Sequence, residues 1–134
     1  MTHLVHAIGH MKVNVMNPQS VIRDSTEILG LRVSHQNKGE TWLSSNGRAA
    51  ELVLVHSDEN SAHTIGLETL TRTDVEAAAS RVEAAGCRLL SREPSLSCMD
   101  AGFTFATPEG LRFEVHTPIR NDIRGQRFPT NGIM

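Results

Sequence analysis

The sequence contains no tyrosine, and its one tryptophan and four phenylalanines make up only 4% of the chain. Cysteine is almost as scarce, since only Cys87 and Cys98 occur. Their spacing matches neither a zinc-binding motif nor a redox motif, and Cys87 lies in an apolar segment where a free cysteine usually acts as a small hydrophobic side chain. We therefore assign no function to either cysteine.

An excess of charge of one sign is also missing, because 13 Lys and Arg residues nearly balance 15 Asp and Glu residues. Without a basic run or stripe, the chain has no feature typical of binding to nucleic acid or to anionic membrane surfaces. No apolar stretch approaches the roughly 18 residues that a membrane span requires, and the start of the chain lacks the positive charge of a secretory signal. We expect a soluble, cytoplasmic protein.

What the chain does contain is one pattern that occurs twice, with roughly fifty residues in each copy. Each copy begins with a histidine beside an apolar stretch, runs through a helix-like segment to a glycine, and closes with a glutamate in or beside a strand-like run. These residues are His10, Gly30 and Glu51 in the first copy, and His63, Gly86 and Glu114 in the second. Copies this short are not independent domains, so we expect them to share a core.

Short segments rich in β-branched or apolar residues, separated by turn-forming clusters, predict eight strands. They fall at residues 6–15, 31–36, 40–45, 49–56, 62–69, 87–92, 101–106 and 111–116. Each copy then reads as βαβββ, which predicts an α+β fold whose two modules form one eight-stranded cupped sheet. The modules cover about residues 3–56 and 61–118 of a single domain, 1–118, and residues 119–134 are expected to form an arm or linker.

Each copy also carries the signals of one helix. The first helix begins at Asn17-Pro18, and the second has capping-box spacing between Thr73 and Glu76. The predicted inward faces are Val21, Ser25, Ile28 and Leu29 in the first helix, and Val75, Ala78, Ala79 and Val82 in the second.

The two histidines and the two glutamates of the repeat, His10, His63, Glu51 and Glu114, are candidate ligands of a divalent metal ion. Taken singly, a strand histidine or a glutamate at a strand end is more often a hydrogen-bonded or solvated side chain than a ligand. Their corresponding places in two copies favour a shared site instead. Imidazole and carboxylate ligands suit Fe(II), Mn(II), Ni(II) and Zn(II).

The number of ligands separates two kinds of chemistry. With His10, His63 and Glu114 alone, open positions remain for a substrate and for dioxygen. Glu51 as a fourth ligand would favour Lewis-acid or proton-transfer chemistry over dioxygen activation. His116 shares a strand face with Glu114, and it is a candidate for a catalytic acid or base, or for a group that supports a ligand.

In these residues the sequence resembles the vicinal oxygen chelate superfamily, which includes glyoxalases, bleomycin-resistance proteins and extradiol ring-cleaving dioxygenases. The resemblance follows the family's order and spacing over nearly the whole chain up to Pro118, and its closing phrase is most similar to one domain of a catechol 2,3-dioxygenase-type enzyme. The motifs that carry it are Gly9-His10-Met-Lys-Val, Ile28-Leu-Gly-Leu-Arg-Val33, His63-Thr-Ile-Gly-Leu67, Val82-Glu-Ala-Ala-Gly86 and Thr107-Pro-Glu-Gly-Leu-Arg-Phe-Glu114.

This resemblance implies an enzyme that holds Fe(II) with His10, His63 and Glu114 and acts on a small aromatic diol. The chain departs from the ring-cleaving family at Thr104, where a tyrosine is expected, and it lacks acid/base histidines near Ala49-Ala50 and in 95–97. These departures are typical of the amino-terminal, often non-catalytic domain of a two-domain dioxygenase, for which the tail would lead to the second domain.

Two alternatives remain open within the same superfamily. One is a glyoxalase-like lyase or isomerase that uses Glu51 as its fourth ligand. The other is a metal-free domain that binds a ligand, as in the bleomycin-resistance branch. Under each alternative the partner is a small molecule, and we expect a homodimer because a single copy would need a second one to close its cleft.

Overall fold

A computed structural model describes residues 3–122, which form eight strands and two helices. The predicted α+β fold is confirmed, because all eight strands belong to one mixed sheet with the order β2-β3-β4-β1-β5-β8-β7-β6. The strands are β1 (Val5–Val15), β2 (Arg32–Gln36), β3 (Glu40–Ser44), β4 (Leu52–His56), β5 (Ser61–Thr69), β6 (Arg88–Ser91), β7 (Gly102–Ala106) and β8 (Arg112–His116). The helices are α1 (Pro18–Glu27) and α2 (Arg72–Ala84).

The chain divides into two compact units. Unit 1 combines the described residues up to His10 with Thr64–Ile119, and unit 2 combines Met11–His63 with the described residues from Arg120 onward. Strand β1 contributes to both units, and its second half pairs in parallel with β4 inside unit 2. In unit 1 the corresponding parallel pair is formed by β5 and β8.

The core of unit 1 lies between α2 and the strands β7 and β8. Val75, Ala78 and Ala79 of α2 pack against Phe103 and Val115, which confirms the apolar stripe predicted for this helix. Because side chains alternate along a strand, the residues on either side of Val115 point to the opposite face of β8.

The start of α2 differs from the prediction. Thr71, not Thr73, is the N-cap, and its hydroxyl accepts a hydrogen bond from the backbone N–H of Asp74 at 3.1 Å. The helix therefore begins two residues earlier, because Thr71 has the extended backbone that a cap requires.

The core of unit 2 is formed by Val15, Leu43 and Leu54, against which Val21 and Ile22 of α1 pack. The predicted inward face of α1 is wrong at its far end, since Ile28 and Leu29 are 75% and 67% exposed. Helix α1 ends at Glu27, and Gly30 turns the chain with a φ of 75°. Residues 28 and 29 lie beyond the last helical residue, so helical spacing does not predict the direction of their side chains.

After β8, the residues up to Ile119 belong to unit 1, and the described residues from Arg120 onward belong to unit 2. The guanidinium of Arg32 donates to both carboxylate oxygens of Asp122, at 3.1 and 2.5 Å. Residues 123–134, the greater part of the predicted arm, lie outside the described residues. Within the described part of the chain, neither helix is long and apolar enough to cross a membrane.

A matched pair of leucines tests the position of the unit 2 core. Leu54→Ala should reduce the free energy of unfolding by about 2–5 kcal/mol, because this fully buried side chain leaves a cavity. Leu29→Ala should change it by less than about 0.5 kcal/mol, since Leu29 is exposed. Urea unfolding of both variants measures the difference, and equal losses would contradict the assigned core.

Candidate metal centre

Unit 1 buries a histidine against a glutamate from a different strand. His10 of β1 and Glu114 of β8 both have fully buried side chains, and the His10 Nε2 atom lies 3.4 Å from the Glu114 Oε1 atom. Two ionisable groups out of contact with water need partners inside the protein. The structure therefore brings together two of the four predicted ligands.

A glycine on the intervening strand makes this approach possible. In the sheet order β5 lies between β1 and β8, and Gly66 of β5 is the register partner of Glu114. A Cβ atom at Gly66 would lie only 2.1 Å from the His10 Nδ1 atom. The imidazole ring of His10 thus occupies the space that any larger residue at position 66 would fill.

Ser95 holds the carboxylate of Glu114 in place. Its backbone N–H donates to Oε2 at 2.6 Å, and its hydroxyl donates to Oε1 at 2.5 Å. Burial by itself raises the pKa of Glu114, but the neighbouring His10 ring and the two hydrogen bonds from Ser95 outweigh burial and lower the pKa below its usual value. Glu114 is therefore a carboxylate at neutral pH, as a metal ligand must be.

His116 is the third member of this group and is also completely buried. Its Nδ1 atom lies 2.7 Å from the carbonyl oxygen of Thr117, and its Nε2 atom lies 3.2 Å from the Nδ1 atom of His10. Burial lowers the pKa of His116, since a charged ring is poorly solvated there. His116 is therefore a neutral ring that contacts a candidate ligand.

The His10 Nε2 atom is buried and has no hydrogen-bond partner. A carboxylate 3.4 Å away does not satisfy it as an ordinary N–H···O bond would. An imidazole nitrogen and a carboxylate oxygen that face each other are donors suited to a divalent cation, so His10 and Glu114 fit two positions of its ligand set. Among residues 3–122 no group of three or more His, Cys, Asp or Glu side chains is arranged to hold a metal ion.

The two other predicted ligands lie in unit 2. Glu51 is fixed by the loop after β3, since Ser45 donates to Oε1 through its backbone N–H at 2.7 Å and its hydroxyl at 2.6 Å. Asn46 donates to Oε2 at 3.2 Å, and the Arg48 guanidinium lies 3.7 Å from that oxygen. His63 is a half-buried residue of β5. The roles of Glu51 and His63 as ligands stay predictions.

A surface cavity of about 450 Å³ lies elsewhere in unit 1, beside the turn between β7 and β8. None of its lining residues belongs to the group around His10, so we assign it no part in the candidate site. The lining residues are Gly86, Cys87, Arg88, Ala106, Thr107, Pro108, Gly110 and Arg112.

Residues 7–115 match the model of the glyoxalase/bleomycin resistance protein/dioxygenase superfamily. This match covers most of the chain, and the chain therefore belongs to that superfamily, as its motifs suggested. None of the curated proteins compared with the chain matches it.

Several solved structures share the fold. The chain is 25% identical to the Mn(II)-bound glyoxalase from Novosphingobium aromaticivorans, with a TM-score of 0.84 over 97% of this chain and 44% of that chain. It is 19% identical to homoprotocatechuate 2,3-dioxygenase from Brevibacterium fuscum, with a TM-score of 0.81 over 90% of this chain and 39% of that chain. For the 2,3-dioxygenase LapB from Pseudomonas sp. KL28 the identity is 18% and the TM-score 0.81, over 93% and 45% of the two chains. The chain thus spans less than half the length of these proteins.

Gly66→Ala should destabilise the protein by about 1–3 kcal/mol, because the new methyl group would force the His10 ring away from Glu114. Gly39→Ala is the control, since its nearest neighbour would lie 3.9 Å from the added carbon. The free energy of unfolding measures both effects. A Gly66→Ala variant as stable as Gly39→Ala would show that His10 does not occupy the space above Gly66.

The pKa of Glu51 is also lowered, because the hydrogen bonds from Ser45, the charge of Arg48 and the Asn46 amide outweigh the opposing effect of burial. A depressed folded-state pKa contributes stability that is present above the unfolded-state value, near 4.5, and is lost as the pH falls through the folded-state value. Glu51→Gln should therefore make the free energy of unfolding less dependent on pH below 4.5 than in wild type. Urea titrations from neutral to acidic pH measure the two slopes, and equal slopes would contradict this assignment.

Proposed function

We propose that this protein is a metal-dependent enzyme resembling the extradiol ring-cleaving dioxygenases, with a small aromatic diol as substrate. His10, His63 and Glu114 are the proposed ligands, and Fe(II) is the proposed metal, with Mn(II), Ni(II) and Zn(II) as alternatives. The observation that carries the proposal is the orphaned Nε2 atom of His10, which is buried and faces the carboxylate of Glu114 at 3.4 Å.

The residues of unit 1 prepare this site. The His10 ring and the hydrogen bonds from Ser95 together keep Glu114 ionised, and Ser95 fixes the direction of its oxygens. Gly66 leaves the space in which the His10 ring lies. Burial removes competing water from both groups, which strengthens their interaction with a cation. A bound Fe(II) ion would supply a Lewis acid and open positions for substrate and dioxygen.

The surroundings of Glu51 support three protein ligands over four. Ser45 donates two hydrogen bonds to its carboxylate, as Ser95 does to Glu114, but Glu51 also accepts from the Asn46 amide and lies 3.7 Å from the Arg48 guanidinium. A fourth ligand would have to give up part of this network, which supports the dioxygenase-like alternative over a glyoxalase-like lyase or isomerase.

A second candidate is a metal-free domain that binds a small ligand. The complete burial of His10 and Glu114 favours it, because a substrate has to reach a metal ion directly. A proton on Nε2 would then take the place of the metal and form a buried ion pair with Glu114. Under both candidates we propose a soluble, cytoplasmic homodimer, because a single copy would need a second one to close its cleft.

Metal analysis decides between the two candidates. Wild-type protein purified without a tag and incubated anaerobically with Fe(II) should retain about one ion per chain, and should bind it more weakly at low pH because protons compete for the imidazoles. His10→Ala, His63→Ala and Glu114→Gln should each lose the ion. Catechol cleavage by the loaded protein, followed by absorbance, tests the reaction.

Two matched variants serve as controls. His35→Ala and Glu109→Gln change exposed residues of the same types and should retain the metal. Unchanged iron content in His63→Ala would exclude the proposed triad. Wild-type protein that binds none of Fe(II), Mn(II), Ni(II) or Zn(II) would leave only the metal-free candidate.

A further inference from the structure

We infer that His116 is a positioning residue, which fixes a proton on the Nδ1 atom of His10 and so directs the other ring nitrogen of His10 toward Glu114. The inference concerns the protonation of two buried rings. It rests on the proposed function only in that the cation bound by His10 is taken to be a metal ion.

The first step is set by the backbone. The Nδ1 atom of His116 lies 2.7 Å from the carbonyl oxygen of Thr117, and a carbonyl oxygen can only accept a hydrogen bond. His116 therefore carries a proton on Nδ1 and donates it to Thr117. In a neutral ring the Nε2 atom is then left as an acceptor.

The second step follows at the contact between the two rings. The Nε2 atom of His116 and the Nδ1 atom of His10 are 3.2 Å apart, so one proton lies between them. The two facing nitrogens cannot both carry a proton at this distance. A proton on Nε2 of His116, added to the one on its Nδ1 atom, would make that completely buried ring a cation. The proton therefore belongs to His10 Nδ1, and His10 is the donor.

The third step reaches the candidate site. Because the Nδ1 atom of His10 is protonated, a neutral His10 ring has its lone pair on Nε2, the buried atom without a hydrogen-bond partner that faces Glu114. A lone pair that faces a carboxylate is unfavourable, and a bound cation or a second proton on the ring would relieve it. Hydrogen bonds through His116 thus connect the Thr117 carbonyl to the His10 ring, whose Nε2 atom is left to bind a cation.

The packing around His116 suits a fixed ring better than a ring that exchanges protons with a substrate. A Cβ atom at Gly9 would lie 2.2 Å from the Cε1 atom of His116, so the chain passes directly against the ring. Both ring nitrogens are occupied, by Thr117 and by His10, and the side chain has no exposed surface. These contacts favour a positioning role over the acid/base role considered from the sequence.

The test compares two substitutions at His116. In His116→Gln the amide oxygen can take the place of Nε2 and accept from His10, whereas the side chain of His116→Asn is too short to reach that ring. In ¹⁵N-labelled protein, NMR reports which nitrogens of His10 are protonated, both without metal and with diamagnetic Zn(II). Zn(II) affinity is measured in parallel by competition with a chelator.

In wild type, the Nδ1 atom of His10 should be protonated with and without Zn(II), and only the Nε2 signal should shift on binding. His116→Asn should lose the fixed Nδ1 proton and bind Zn(II) about 10- to 100-fold more weakly. His116→Gln should recover most of that loss. A purely structural role for His116 would not produce this difference in the protonation of His10.

An unprotonated Nδ1 atom in wild-type His10 would overturn the inference, and this measurement needs no variant to fold. An Asn variant with wild-type protonation and affinity would overturn it as well. If wild type binds no Zn(II), Fe(II), Mn(II) or Ni(II), the proposed function fails. The protonation of His10 in the metal-free protein still decides the inference in that case.

Discussion

The burial of one carboxylate is the constraint on which the organisation of unit 1 depends. Glu114 has no contact with water, so its charge must be balanced by groups that the fold supplies. Ser95 supplies two hydrogen bonds, and His10 supplies an imidazole whose facing nitrogen has no other partner. Gly66 has no side chain because the His10 ring needs its place. The residue types at these positions therefore depend on one another: the buried Glu114 needs Ser95 and His10, and His10 needs a glycine at position 66.

The two copies of the repeat hold their glutamates in similar ways but in different surroundings. In both copies a serine binds the carboxylate through its backbone N–H and its hydroxyl. Glu51 remains partly exposed, and Asn46 completes its hydrogen bonds, whereas Glu114 is fully buried and faces an unsatisfied imidazole nitrogen. The first arrangement is complete as a structural network. The second is complete only when a cation or a proton is added, which is why the proposed function rests on His10 and Glu114.

Local sequence signals predicted the elements well and their details less well. The strands follow from period-two alternation bounded by turn residues, and the α2 stripe at Val75, Ala78 and Ala79 follows from helical spacing. The errors occur where the signal depends on a few residues. The spacing from Thr73 to Glu76 predicted the start of α2, but the extended backbone at Thr71 makes that residue the cap. The inward face of α1 failed at Ile28 because the helix ends one residue earlier.

The sequence by itself determined the superfamily, the eight strands, and the shared face of Glu114 and His116, because motif spacing, turn residues and strand alternation can all be read from the order of the residues. The tertiary structure decided which side chains meet. His10 and His116 are 106 residues apart, and Ser95 reaches Glu114 across 19 residues, so no local pattern predicts either contact. The inferred position of the proton between the two imidazoles depends on one contact of each kind. Thr117 is the neighbour of His116 in the sequence, whereas His10 meets the His116 ring only in the folded protein.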